Sequence, residues 1–206
     1  MQPLTTLTAV AAPLDIAKID TGMIIHTRYN RKYRRPGHSD YAEAFLHDLR
    51  FDEHDRLRPE FVLNHPAYRS AQILVTAADF GCGSSREGAA YAVLDYGVRV
   101  LIGPSFGDIF AGNCLQNGVL PIVLPQETID SLWRQLRDRP GARISVDVER
   151  QTVTDPAGAQ YRFDIDPTRK ERLLLGLDDV GVTLRLLPEI EAFEARYYSE
   201  MTWLAR

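Results

Sequence analysis

The sequence predicts an α/β fold, with a mostly parallel central sheet flanked by helices and a small antiparallel meander appended. Two strand–turn–helix units follow one another between residues 72 and 116, and serial units of this kind imply right-handed crossovers between parallel strands. Farther on, two short stretches alternate apolar and polar side chains with the two-residue period of half-buried antiparallel strands. The 206 residues are 45% hydrophobic, enough to bury a proper core as one domain.

The first unit opens with Gln72-Ile73-Leu74-Val75-Thr76, a short β-branched and apolar run suited to a buried parallel strand. A helix is expected from about Ser85 to Tyr96, with Ala89, Ala90, Val93 and Leu94 on one face and Gly97 ending it. Ser84 and Glu87 have the spacing of a capping box. The second unit is a strand over Val98–Ile102, a helix from about Ser105 to Gln116 terminated by Gly118, and a third strand over Val119–Leu124. Glu127 to Arg137 reads as an amphipathic helix with Ile129, Leu132 and Leu136 inward, stopped at Pro140-Gly141.

Ile144, Val146 and Val148 then alternate with polar residues. Tyr161, Phe163 and Ile165 do the same across the turn Asp155-Pro156-Ala157-Gly158, which makes the meander. Asp166-Pro167 is a cap followed by proline at the first helical position, opening a helix that ends at Gly176. Val182 to Leu187 is expected as a last strand. Residues 188–206 place Ile190, Phe193, Tyr197, Met201 and Leu204 at helical spacing, a C-terminal helix expected to dock on the chain's own core.

Chemistry concentrates in Phe80-Gly81-Cys82-Gly83-Ser84-Ser85-Arg86-Glu87, where a strand hands over to a helix. Gly81 and Gly83 permit positive φ and a close ligand approach. Turn amides and the positive end of the helix dipole favour a carboxylate or phosphate there, and Arg86 adds a planar fork for a carboxylate. The ordinary role of Ser84 at a helix start is a cap. The stretch is no nucleotide loop, because it lacks the lysine of a P-loop and has Arg86 where G-x-G-x-x-G requires glycine.

A formal charge of −4 argues against a general nucleic-acid binder. There is no basic, apolar leader between Met1 and Ile19 and no run long enough to span a membrane, so a soluble, cytoplasmic protein is expected. The two cysteines, Cys82 and Cys114, are too few for a disulfide framework or for an iron–sulfur cluster, which needs three or four thiolates. The five histidines, His26, His38, His47, His54 and His65, match no metal-binding spacing, so no metal is expected on this chain.

Asp79 to Glu87, followed by Asp95-Tyr96-Gly97 and Pro104-Ser105-Phe106-Gly107-Asp108-Ile109-Phe110, closely resembles the small-subunit family of 3-isopropylmalate dehydratase. This family corresponds to the swivelling domain of the aconitase superfamily. The resemblance continues in Ile19-Asp20-Thr21-Gly22-Met23-Ile24-Ile25, Pro59 to Asn64, Asn117 to Leu124 and Gly176 to Gly181, and so covers nearly the whole chain. It implies one swivelling β/β/α domain over residues 1–206, with a loop-rich insertion at 28–65. It also implies a large-subunit partner that carries a [4Fe-4S] cluster, in a heterodimer or heterotetramer, and a small dicarboxylate or hydroxy-dicarboxylate substrate.

By the same resemblance Ser84 is the catalytic base, while Gly83, Ser85 and Arg86 bind substrate. The basic run Arg28 to Arg35 is either a solvated loop or a lid, and the resemblance places a substrate-selecting loop at Tyr29 to Lys32, which brings in Tyr29 and Arg31. The implied reaction is the interconversion of 2-isopropylmalate and 3-isopropylmalate by dehydration and rehydration in leucine biosynthesis. Three positions depart from the pattern: Gly22 stands where a second aspartate is usual, His26 where proline is, and Gly88 where histidine is. A paralogous hydro-lyase for another malate derivative, such as citramalate or dimethylmalate, and a non-catalytic dicarboxylate-binding module are the alternatives.

Overall fold

The computed structural model of the chain describes residues 1–29, 35, 40–83, 86–201 and 203. In chain order its elements begin with β1 (Thr6–Leu14), α1 (Thr21–Ile24), α2 (His47–Arg50), β2 (Ile73–Thr76), α3 (Glu87–Asp95), β3 (Val100–Gly103), α4 (Asp108–Gln116) and β4 (Leu120–Val123). They continue with α5 (Gln126–Asp138), β5 (Arg143–Asp147), β6 (Thr152–Thr154), β7 (Gln160–Arg162), α6 (Pro167–Leu175), α7 (Asp179–Leu184) and α8 (Leu187–Glu200).

The strands form one sheet in the order β4-β3-β2-β1-β5-β6-β7. Neighbours from β4 to β1 run parallel, and those from β1 to β7 run antiparallel. The expected parallel sheet and meander are therefore halves of one surface, joined by β1. That strand was not anticipated, because Ala9, Ala11, Ala12 and Pro13 carry little strand propensity. Its first half, Thr6 to Val10, pairs with β5, and its second half, Ala11 to Leu14, pairs with β2. Pro13 lies where β1 has a strand partner on one side only, which tolerates its missing N–H.

Side chains of β2 and β3 alternate between two cores. Leu74 and Leu101 enter one with Ala89, Val93, Phe110 and Cys114 of α3 and α4. Ile73, Val75, Val100 and Ile102 enter the other with Ile129, Leu132 and Leu136 of α5. Burial on both faces explains the continuous apolar runs of these strands. Asp166 caps α6 by accepting from the Arg169 amide at 3.0 Å, and Gly176 closes it at φ 69°.

Four expectations are corrected. Helix α3 starts at Glu87 with Arg86 as its N-cap, which has no side-chain cap bond. Ser84, the expected capping partner of Glu87, lies outside the described residues, and Glu87 accepts from Asn117 Nδ2 at 3.3 Å. Helix α4 begins at Asp108, because the chain from Gly103 to Gly107 is drawn under the turn after β2. Residues 182–187 form no strand: Asp178 caps α7 by accepting from the Gly181 amide at 2.7 Å, and a helix turn satisfies the backbone without a sheet edge. Finally, α8 is helical as expected but has no buried residue, with Phe193, Tyr197 and Tyr198 all exposed; it does not dock on the chain's own core. The meander also holds a strand, β6, that its three residues left unmarked.

Candidate active site

The site is built at the carboxyl ends of the parallel strands, the edge at which open α/β sheets present ligand-binding loops. Beyond β2 the chain turns at Asp79, φ 59°, and at Gly81, φ 76°. Asp79 and Ser105 lock this turn to the loop after β3: the Asp79 amide donates to Ser105 Oγ at 2.9 Å, and that hydroxyl donates back to Asp79 Oδ1 at 2.8 Å. The Gly107 amide donates to the Phe80 carbonyl at 3.0 Å. A Cβ on Gly81 would stand 2.2 Å from the Phe110 ring, and one on Gly107 would stand 2.3 Å from the Gly81 carbonyl oxygen. Glycine is demanded at both places by backbone stacked on backbone and ring.

On the other side the turn meets the segment after β1. The Gly81 amide donates to the Ile19 carbonyl at 2.7 Å, and the Thr21 amide donates to the Cys82 carbonyl at 3.0 Å. Asp20 then caps α1, accepting from the Met23 amide at 2.8 Å. Gly83, φ 92°, is exposed beside Asp20, whose Cβ would be 3.5 Å from a Cβ at position 83. These contacts place the aspartate block and the glycine-rich turn side by side, although 60 residues of chain separate them in the sequence numbering of Asp20 and Phe80.

Arg86 emerges at the start of α3 into a cleft of about 390 Å³ lined by Asp20, Gly22, Met23, His26, Thr27, Asp48, Leu49 and Arg86 itself. Its Nη1 donates to Thr27 Oγ1 at 3.2 Å. A Cβ on Gly22 would lie 3.1 Å from Asp20 Oδ1 and 4.0 Å from Arg86 Nη1, so the bare backbone there keeps the guanidinium open to the cleft. Gly22 and His26, which the sequence singled out, thus line the same cleft as Arg86.

Tyr29 lines a neighbouring cleft of about 480 Å³ with Arg28, Asp48, Phe51, Asp52, Glu53, Asp55 and Arg58. Its ring lies 5.1 Å from that of His47 and 4.9 Å from the Arg28 guanidinium. Asp48 borders both clefts and pairs with Arg28. Partial burial works to raise the Asp48 carboxyl, but the hydrogen bond and charge of Arg28 hold it below the usual carboxylate range. Arg86 and Tyr29 therefore line two clefts that share Asp48, and Gly83 lies beside Asp20 of the first, while Ser84, Ser85 and Arg31 lie outside the described residues. Sequence reasoning assigned no role to Thr27 or Asp48, nor to the Asp79–Ser105 pair. The last two stood inside matched blocks, but only the fold shows what they touch.

The described residues do not suit a metal cluster. Among the described residues no three His, Cys, Asp or Glu side chains gather into a metal-binding group. Cys114 is fully buried in the core, where burial pushes its thiol well up, and thus disfavours the thiolate a metal needs.

Comparison with known proteins bears on the same residues. Residues 1–127 match the model of the aconitase C-terminal domain, and residues 130–167 match LeuD_N. The chain is 48% identical over 204 residues to the 3-isopropylmalate dehydratase small subunit of Parvibaculum lavamentivorans, covering 99% of this chain and 100% of the relative. It is 47% identical to the protein of the same name from Phenylobacterium zucineum, over 99% of this chain and 98% of that one. Its structure is similar to that of a 3-isopropylmalate dehydratase from Methanocaldococcus jannaschii, with a TM-score of 0.66 over 91% of this chain and 99% of the other. At 19% identity that likeness shows a common fold.

Proposed function

We propose a function from one premise: the chain belongs to the family of 3-isopropylmalate dehydratase small subunits. It is the small subunit of a heteromeric hydro-lyase that interconverts 2-isopropylmalate and 3-isopropylmalate by dehydration and rehydration, in cytoplasmic leucine biosynthesis. The whole chain acts as one swivelling domain that closes on a large subunit, in a heterodimer or heterotetramer. That partner holds the [4Fe-4S] cluster, which this chain's two cysteines cannot ligate, and supplies the Lewis acid for the departing hydroxide.

The residues of this chain bind substrate and handle the proton. Arg86 clamps a substrate carboxylate, Ser85 donates a hydrogen bond to one, and the Gly83 backbone lets it approach. Ser84, as an alkoxide, removes the proton from the carbon beside a carboxylate. A serine hydroxyl ionises only in a strongly electropositive, water-poor site. The Arg86 guanidinium, the amides of the glycine-rich turn and the amino end of α3 all act in that direction. Tyr29 and Arg31 belong to the loop that selects the substrate's side group.

The observation that carries this reading is Arg86 opening into a cleft beside the glycine-rich turn, with a family likeness that spans the chain. The test is an anaerobic absorbance assay for the unsaturated diacid, with this chain and a cluster-loaded large subunit from the same organism. Turnover of 3-isopropylmalate that needs both chains and is lost in Ser84→Ala is the expected result. Full activity of the Ser84→Ala complex would remove serine from the mechanism. A second reading, a paralogous hydro-lyase for another 2-substituted malate, is favoured by Gly22 and His26 in the substrate cleft; a complex silent on isopropylmalate but active on such a compound would establish it.

A further inference from the structure

His26 lines the cleft into which Arg86 opens. The side chain is exposed there, so no packing requirement accounts for an imidazole at this position. Its Nδ1 accepts a hydrogen bond from the Arg28 amide at 3.2 Å. In that hydrogen bond Nδ1 is the acceptor, which leaves Nε2 as the ring's donor. No described residue accepts from that N–H, whereas Nδ1 is engaged. Next along the chain, Thr27 accepts from Arg86 Nη1 at 3.2 Å, which puts the backbone bearing His26 beside the guanidinium. Gly22, on the same wall, puts no side chain between them and the cleft.

Resting on the proposed hydro-lyase reading, we propose that His26 is a substrate-binding residue whose Nε2–H donates to an oxygen of the hydroxy-dicarboxylate held by Arg86. Two donors, from Arg86 and His26, then bracket the substrate in this chain. Arg28 contributes through its amide, which fixes the tautomer that donates. At about 390 Å³ the cleft falls within the usual range for small-molecule sites and has room for a branched malate between these donors and the Met23 and Leu49 side chains.

The two amides that mimic histidine separate this role from a local structural one. Asparagine keeps an acceptor near the position of Nδ1 and loses the distal donor; glutamine reaches the position of Nε2 with an N–H and gives up the local acceptor. In the assembled complex, His26→Asn is expected to raise KM about tenfold or more, the usual consequence of losing a hydrogen bond to a charged group. Its kcat should change far less, and the thermal unfolding of the subunit should stay unchanged. His26→Gln is expected to restore KM to within about threefold of the parent.

Wild-type KM in His26→Asn, or equal losses in both variants, would overturn the proposal and leave the isopropylmalate reading intact. If the parent complex ignores isopropylmalate but turns over another 2-substituted malate, the substrate assignment falls and the same comparison on that compound decides the role of His26. Silence of the parent complex on every malate overturns both.

Discussion

Arg86 is half-buried and makes one hydrogen bond, to Thr27, among the described residues. Little of the fold therefore depends on it, and much of the proposed chemistry does. Arg86→Ala is expected to lower kcat/KM of the complex by about 2 to 5 kcal/mol, roughly thirtyfold to several thousandfold. Its thermal transition should remain that of the parent; a collapsed transition would show Arg86 to be structural. Asp52 illustrates a different residue-scale effect. Its carboxylate accepts from the Arg56 amide, the Arg56 guanidinium and the His54 amide, which hold it down to about 2. A depressed carboxyl stabilises its loop above the ordinary carboxylate range and loses that effect as pH falls toward 2. In a carboxyl NMR titration Asp52 is expected to stay ionised at pH 3, and an ordinary midpoint near 3.8 would refute the bonding described.

At the scale of elements, the site depends on the turn between β2 and α3 more than on either element. Gly81 has φ 76° and touches Phe110, so Gly81→Ala combines left-handed strain with a steric overlap. It is expected to destabilise the chain by about 2 to 4 kcal/mol, measured by denaturant unfolding. A cost below about 0.5 kcal/mol would mean that the turn is not built as described. This turn and the helices beyond it were legible because glycine, proline and capping aspartate act locally; Asp166-Pro167 and Gly176 bound α6 where the sequence placed it. The failures were equally local in origin. Residues 182–187 alternate like a strand, but Asp178 caps a helix there, and the amides of Val182, Arg185 and Leu186 bond to carbonyls within α7 and its cap. The start of α3 was read about two residues early: the helix begins at Glu87 with Arg86 as its N-cap, and the serine read as a cap, Ser84, lies outside the described residues.

For the molecule as a whole, α7 and α8 bury nothing, while Val180, Leu184, Phe193 and Trp203 at the chain's end are exposed. Truncation after Leu186 is accordingly expected to leave the thermal midpoint of the isolated subunit within about 2 °C of the parent. A large drop would show that α8 packs on the body. The sequence by itself determined the parallel β2–β4 half of the sheet and its helices α3 to α6, because burial period and terminators are encoded within each segment. Its glycine-rich turn with Arg86 was legible for the same reason. Only the tertiary structure decided that β1, alanine-rich and without a strand signature, joins the two halves of the sheet, and that Gly22, His26, Thr27, Asp48 and Arg86 share one cleft. Strand pairing and convergence on a site join residues far apart in the chain, and their free energy arises only when the separate segments have packed together.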